Sequence, residues 1–269
     1  MKLSVIIPSY KDPLLTRTIG SLLDTSQLGQ HLEVIAVLDG YWPPPTSIVD
    51  DPRVRYVHLG ANRGMRGAIN AGVAVARGEF LMRADEHCMF AHGFDRCMVD
   101  TFDNGQFRNC IMTARRFFLN PVKWDVMENH QPVDYEKLVI QGGVKFAGQR
   151  WRSRDKERKD YQVDTTMAMQ GSCWVMPRQV WDEVVGELQT DGYGPLYQDS
   201  HEMVFKLWQA GGDLFLNKNT WFAHKHRSFS RTHNDGTVEN PANKEAGWAY
   251  ALEQWGDYYR KVVKPRWKI

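Results

Sequence analysis

No two of the four cysteines, Cys88, Cys97, Cys110 and Cys173, stand in a C-x-x-C pair. That spacing excludes a zinc ribbon and a redox dithiol, and leaves reduced thiols in a cytoplasmic protein as the expectation. An uninterrupted apolar run of about 18 residues, the length a spanning helix needs, is missing. The opening stretch MKLSVIIPSY is too short in apolar residues to read as a signal peptide. Charge of one sign is missing as well: 34 basic against 32 acidic residues leave a net +2, so any anion binding must come from local patterning. What is present is core material, 42% hydrophobic and 12% aromatic over 269 residues. That suits one large domain, or a domain with a substantial insertion.

Strand and helix periods alternate through the first 90 residues. KLSVIIPSY is a short β-branched run that ends near Pro8. PLLTRTIGSLLDTS carries Leu14, Leu15, Ile19, Leu22 and Leu23 at helical spacing. LEVIAVLDG and VRYVHLG predict two more strands, GMRGAINAGVAVARG a small-residue helix stopping at Gly78, and EFLMRADEH a fourth strand. This order predicts an α/β fold, a Rossmann-like, mostly parallel central sheet with helices on both faces. Such sheets bind ligands at the carboxyl ends of their strands. Ser9, Tyr10, Asp39 and Asp85 all fall there.

The stretches SVIIPSYKD, EVIAVLDG and NRGMRGAINAGVAVARGEFLMRADEH resemble the nucleotide-sugar half of the family 2 glycosyltransferases, with the GT-A fold. The resemblance implies a UDP-sugar donor, with Ser9, Tyr10 and Asp39 at the nucleoside. It also implies a divalent cation on the diphosphate, held by the Asp85-Glu86-His87 motif. A departing diphosphate needs its charge neutralised, and an imidazole beside a carboxylate suits Mn²⁺ better than Mg²⁺. Further along, MQGSCWVMPRQVW, YQDSHEMVFKLWQAGG and TWFAHKHRSF occur in the order seen in the polypeptide N-acetylgalactosaminyltransferases. The metal motif of that family, Asp-Ser-His followed by Cys, is matched by Asp85-Glu86-His87-Cys88. By the same resemblance His224 is the third metal ligand, against the alternative of a surface histidine in a basic HKHR run. Arg227 becomes a phosphate-binding arginine, and Asp199 and Glu202 become acceptor-side acids with catalytic roles.

Ser200 stands where inverting relatives carry an aspartate base, and a serine hydroxyl is a poor base at neutral pH. The pattern implies retention of configuration, with Asp199 as the base should the enzyme invert. Arg63 and Arg66 precede a helix, where backbone N–H groups favour anions. Arg66 matches an arginine of the resembled motif and is expected at the diphosphate. Gly171 and Ser172 lack bulk where a donor sugar would pass, and the polar loop 228–243 reads as a lid or a surface loop.

A single domain is expected, with residues 1–90 the donor half, 91–164 a variable insert and 165–269 the acceptor half and tail. Lys145 to Lys159 carries seven basic residues against Asp155 and Glu157, and Arg260 to Ile269 carries five in ten, each with a tryptophan. Basic residues interleaved with aromatics grip phosphates and stack bases. Some viral enzymes of this broad resemblance glycosylate hydroxymethylated pyrimidines in DNA, which makes such a base the first expectation for the acceptor. A peptide Ser/Thr or a glycan hydroxyl competes with it. An inactive sugar-nucleotide-binding module is the alternative of another class, opposed by the intact Asp39, Asp85, His87 and His224.

Overall fold

The computed structural model of the chain describes residues 1–194, 197–226 and 241–269. Its donor half runs β1 (Leu3–Ser9), α1 (Leu15–Thr25), β2 (Leu32–Asp39), β3 (Val54–Leu59), α2 (Gly64–Val75), β4 (Phe80–Ala84) and β5 (Cys88–Phe90). The middle comprises α3 (Phe94–Asp103), β6 (Cys110–Asn120), β7 (Asp125–Val126), β8 (Glu136–Gln141), β9 (Lys145–Arg150), α4 (Arg152–Glu157) and β10 (Val163–Thr165). There follow β11 (Cys173–Pro177), the short α5 (Arg178–Val180), α6 (Asp199–Gln209), β12 (Asp213–His224), α7 (Pro241–Tyr258) and α8 (Lys264–Trp267).

Among the described residues, ten strands share one sheet in the order β10-β12-β6-β11-β4-β1-β2-β3, with β5 paired to β12 and β7 to β6. β3, β2, β1 and β4 are mutually parallel, as are β6 and β12; β11 runs antiparallel between β4 and β6. The expected α/β, mostly parallel sheet is therefore present. Every residue of β2 is buried, as befits a parallel strand covered on both faces. Alternate residues of β1 feed two cores: Ile6 packs with Ala68, Ile69 and Val73 of α2, whereas Val5 and Ile7 pack with Leu15, Ile19 and Leu22 of α1. Helix α2 lies hard against the sheet because Gly72 has no side chain. A Cβ there would stand 2.4 Å from Ile6 Cγ2.

Residues 91–164 are not set apart from the sheet. They supply β6 inside the sheet and β10 at its edge, and the hairpin β8–β9 forms a separate two-stranded sheet. The carboxyl ends of β1, β2, β4 and β12 point the same way, which brings Ser9, Asp39, Asp85 and His224 to one rim. Among the described residues, no helix is long and apolar enough to cross a membrane.

Candidate active site and metal centre

Asp39 closes β2 and immediately fastens the next helix. Its Oδ1 accepts the N–H of Arg63 at 2.6 Å and its Oδ2 that of Gly64 at 2.8 Å, at the start of α2. Burial raises its pKa even against these donors. Gly40, at φ +75°, is required beside it, since a Cβ would meet Asn62 N at 2.3 Å. At the end of β1, Ser9 Oγ lies 2.6 Å from Tyr41 Oη, and Glu86 Oε2 accepts the Tyr10 N–H at 2.9 Å. A cleft of about 360 Å³ opens beside them between Lys11, Thr16, Tyr41 and Trp42.

The next strand end over gathers the metal-type ligands. Asp85, His87 and His224 each offer a ligand atom within 4.8 Å of the others. Asp85 Oδ2 is 3.0 Å from His224 Nε2 and 3.6 Å from His87 Nε2. Asp85 and His87 leave β4 two residues apart, and β5 pairs His224 directly with Cys88. His87 Nδ1 donates to Asp12 Oδ2 at 3.0 Å, which leaves its Nε2 lone pair facing the cluster. Burial works against charge on Asp85, yet Arg83 and the two histidines outweigh it and hold its carboxyl well below the usual range. Burial pushes the His224 imidazole down to about 4, so it is neutral and able to ligate at neutral pH. One carboxylate and two imidazoles fit a divalent first-row cation such as Mn²⁺.

Arg83 is a lone charge in the buried strand FLMRA, and it ties this cluster to the acceptor side. Its Nη2 donates to Asp85 Oδ1 at 2.6 Å, and its Nη1 is 3.9 Å from Asp199 Oδ2. Asp199 opens α6 behind Gln198, whose φ of +61° turns the chain into the helix. Its Oδ2 is buried with no hydrogen-bond partner among the described residues. Gly171 makes room for both charges: a Cβ would meet Arg83 Nη1 at 2.9 Å and Asp199 Oδ2 at 3.2 Å. Ser200 packs against the same glycine, its Cβ 3.5 Å from that position. Burial raises the thiols of Cys88, Cys110 and Cys173, which argues against any as a nucleophile.

Two of the expected site residues face each other elsewhere. Arg66 is 0% exposed and ion-paired to Glu202. It also donates from Nε to the Tyr197 carbonyl at 2.9 Å and from Nη1 to the Gln189 carbonyl at 2.9 Å. Lys206 takes the other oxygen of Glu202 at 2.7 Å. The pair thus joins α2 to α6 and the turn before it. Arg227 and most of the expected lid, 228–240, lie outside the described residues. In the basic stretch 145–159, Arg150 pairs with Asp155, while Arg154 and Arg158 both pair with Asp164. Asp12, Arg83 and Tyr41 were not expected at the site. A charge inside an apolar strand was the one available signal for Arg83.

The model of the family described as glycosyl transferase family 2 matches residues 4–185. No curated protein matches the chain. Among solved structures, GalNAc-T7 with UDP, GalNAc and Mn²⁺ superposes with a TM-score of 0.76 at 17% identity, covering 98% of this chain and 50% of that one. S. aureus TarS gives 0.59 at 14% identity, covering 84% of this chain and 37% of that one. A 1–349 form of TarS gives 0.58 at 12% identity, covering 99% and 78%. The chain thus spans about half the length of the GalNAc-T7 structure, and at these identities the likeness speaks for the fold. The family match covers well over half of the sequence, and the sheet order and ligand-bearing rim agree with it. The chain belongs to glycosyl transferase family 2 and has the GT-A fold.

Proposed function

We propose that the chain is a metal-dependent glycosyltransferase and moves a hexose, GalNAc or a relative, from a UDP-sugar to an acceptor hydroxyl with retention. One observation carries the reading: Asp85, His87 and His224 converge within 4.8 Å, with His87 oriented by Asp12. The UDP, GalNAc and Mn²⁺ named with the GalNAc-T7 structure support the choice of donor and ion. Mn²⁺, or Mg²⁺ in its place, would supply Lewis-acid neutralisation of the diphosphate.

The chain's own residues do the remaining work by position. Asp39, Ser9 and Tyr10 form the rim on which the nucleoside rests, and Arg227 is assigned to the diphosphate. Asp199, whose buried Oδ2 has no hydrogen-bond partner among the described residues, orients a sugar or acceptor hydroxyl beside Arg83. In the transfer, the anomeric carbon–oxygen bond to UDP breaks and the bond to the acceptor oxygen forms on the same face. The acceptor proton passes to the departing phosphate oxygen, so Ser200 need not act as a base. Arg66 and Glu202 serve by holding α2 against α6. The four free thiols support a reducing, cytoplasmic setting.

The test is Mn²⁺ binding followed by electron paramagnetic resonance. Wild type should take up one ion, and Asp85→Ala and His87→Ala should leave Mn²⁺ free while keeping a native circular dichroism spectrum. Equal uptake by wild type and both variants would remove these residues from a metal site. Mass spectrometry of hydroxymethylated DNA, peptides and oligosaccharides, incubated with a panel of UDP-sugars, then identifies the acceptor.

A further inference from the structure

The arginines that make the 145–158 segment look basic are largely neutralised by Asp155 and Asp164. Among the described residues, other cations have no carboxylate partner, and Lys145, at the start of the same segment, is one of them. Lys145 Nζ stands 4.4 Å and Lys244 Nζ 5.0 Å from the centre of the Trp248 ring, so two like charges are gathered on one indole. The Tyr197 ring meets Trp248 edge-on at 6.3 Å, and Tyr197 and Gln198 lead directly into Asp199 at the acceptor side. Gln198 Nε2 donates to the carbonyl of Phe146, next to Lys145, at 3.2 Å. This aromatic, cationic patch therefore begins at the transfer site.

The hairpin β8–β9 carries the patch onward. Its register sets Gln141 opposite Lys145 and Lys137 opposite Gln149, so Lys137 and Lys145 share one face. That face is the outer one, because Leu138 and Phe146 fill the core from the other. Four residues of strand separate the Lys137 and Gln141 positions, about 13 Å. Lys137 then meets Arg260 and Lys264 around an open cleft of about 370 Å³. Among the described residues, Lys137, Lys145, Lys244 and Lys264 have no carboxylate within ion-pairing distance, whereas Arg260 and Lys261 pair with Asp257.

We infer that this face, from Trp248 across the outer side of the β8–β9 hairpin to Lys137 and Lys264, binds a single nucleic-acid strand leading to the transfer site. Lysines spaced along a line match successive phosphates, and a partly exposed indole between two ammonium groups offers a base a π-face. As a base stacks on Trp248, one ammonium moves from the ring to the neighbouring phosphate. A polyanion with neither bases nor sugar rings, such as polyphosphate, would use the lysines and leave the indole idle. The inference rests on the transferase reading only for what happens to the strand once bound; binding itself is measured without donor.

Fluorescence anisotropy of a labelled oligothymidylate of about 20 nucleotides, titrated across salt concentrations, tests it, with inorganic polyphosphate as a parallel probe. Each phosphate contact on a single strand contributes about 0.7 to the salt slope. The triple variant Lys137→Ala, Lys145→Ala, Lys244→Ala should lower that slope by about 2 and weaken binding about a hundredfold at about 0.1 M salt. Trp248→Leu should weaken the oligonucleotide and spare polyphosphate. Arg152→Ala, outside the track, should change neither. Unchanged Mn²⁺ uptake by each variant shows that the fold and the metal site survive. A flat salt response in wild type overturns the inference. So does equal binding of polyphosphate and oligonucleotide with Trp248→Leu silent for both, which would mark a surface for a polyanion without bases.

Discussion

Replacing Arg83 by methionine removes a buried cation and keeps much of the side chain's length. The guanidinium donates to Asp85 at 2.6 Å, lies 3.9 Å from Asp199, and is almost wholly buried. Taking one partner from a buried pair leaves an uncompensated charge, which typically costs about 3–5 kcal/mol. Here two carboxylates lose their common counter-ion, so Arg83→Met should sit in that range without metal. The loss is conditional on the ion. At a hundred times its dissociation constant, a ligand bound only by the folded state contributes about 2.7 kcal/mol. Mn²⁺ bound at the proposed site would stand in for part of the missing charge, so the gain on adding it should be larger in Arg83→Met than in wild type. Urea unfolding followed by tryptophan fluorescence, in EDTA and in Mn²⁺, measures both quantities. A loss below about 1 kcal/mol in EDTA, or identical metal-induced gains, would refute the view that Arg83 balances these acids.

Asp12→Ala removes the acceptor that orients His87, and should weaken Mn²⁺ binding about 10–100-fold in a calorimetric titration without abolishing it. Ser200→Ala should lower the transfer rate by no more than about tenfold, whereas Asp199→Asn should cost much more. NMR of the product anomer accompanies that pair, and inversion would make Asp199 the base. Burial holds His201 at about 4 in the fold, with Gln198 as its hydrogen-bond partner. Its ordinary value lies near 6.5, so the unfolded chain binds the extra proton first. Stability should fall as pH drops from about 6.5 towards 4 and stay level above that window. His201→Gln should reduce this slope in unfolding curves taken across pH, and His224, which burial holds at about 4 as well, contributes to the remainder.

The rim residues were legible because strand period and strand end can both be read from a sequence. A buried run followed by Asp39, or by Asp85 and His87, leaves little choice about where those side chains emerge. His224 needed the resemblance, since nothing local separates a ligand from another histidine in HKHR. Arg66 misled for a different reason. An arginine at a helix start reads as an anion contact, and its partner Glu202 lies 136 residues away on α6. The basic stretch misled through its limits: Asp164, which neutralises Arg154 and Arg158, lies just beyond the counted window. Lys145 and Lys244, by contrast, are nearly a hundred residues apart and meet only because α7 packs on β9. β6 escaped notice because two adjacent arginines, Arg115 and Arg116, interrupt its apolar run, each matched in the fold by an acid from the following segment.

Release of UDP from a panel of UDP-sugars, followed in Mn²⁺, in EDTA and after Mn²⁺ is restored, tests the central claim most directly. At least one donor should turn over with wild type in Mn²⁺, stop in EDTA and resume on restoration, while Asp85→Ala stays silent throughout. Turnover that continues in the chelator, or survives in Asp85→Ala, would contradict a metal-dependent transfer centred on Asp85, His87 and His224.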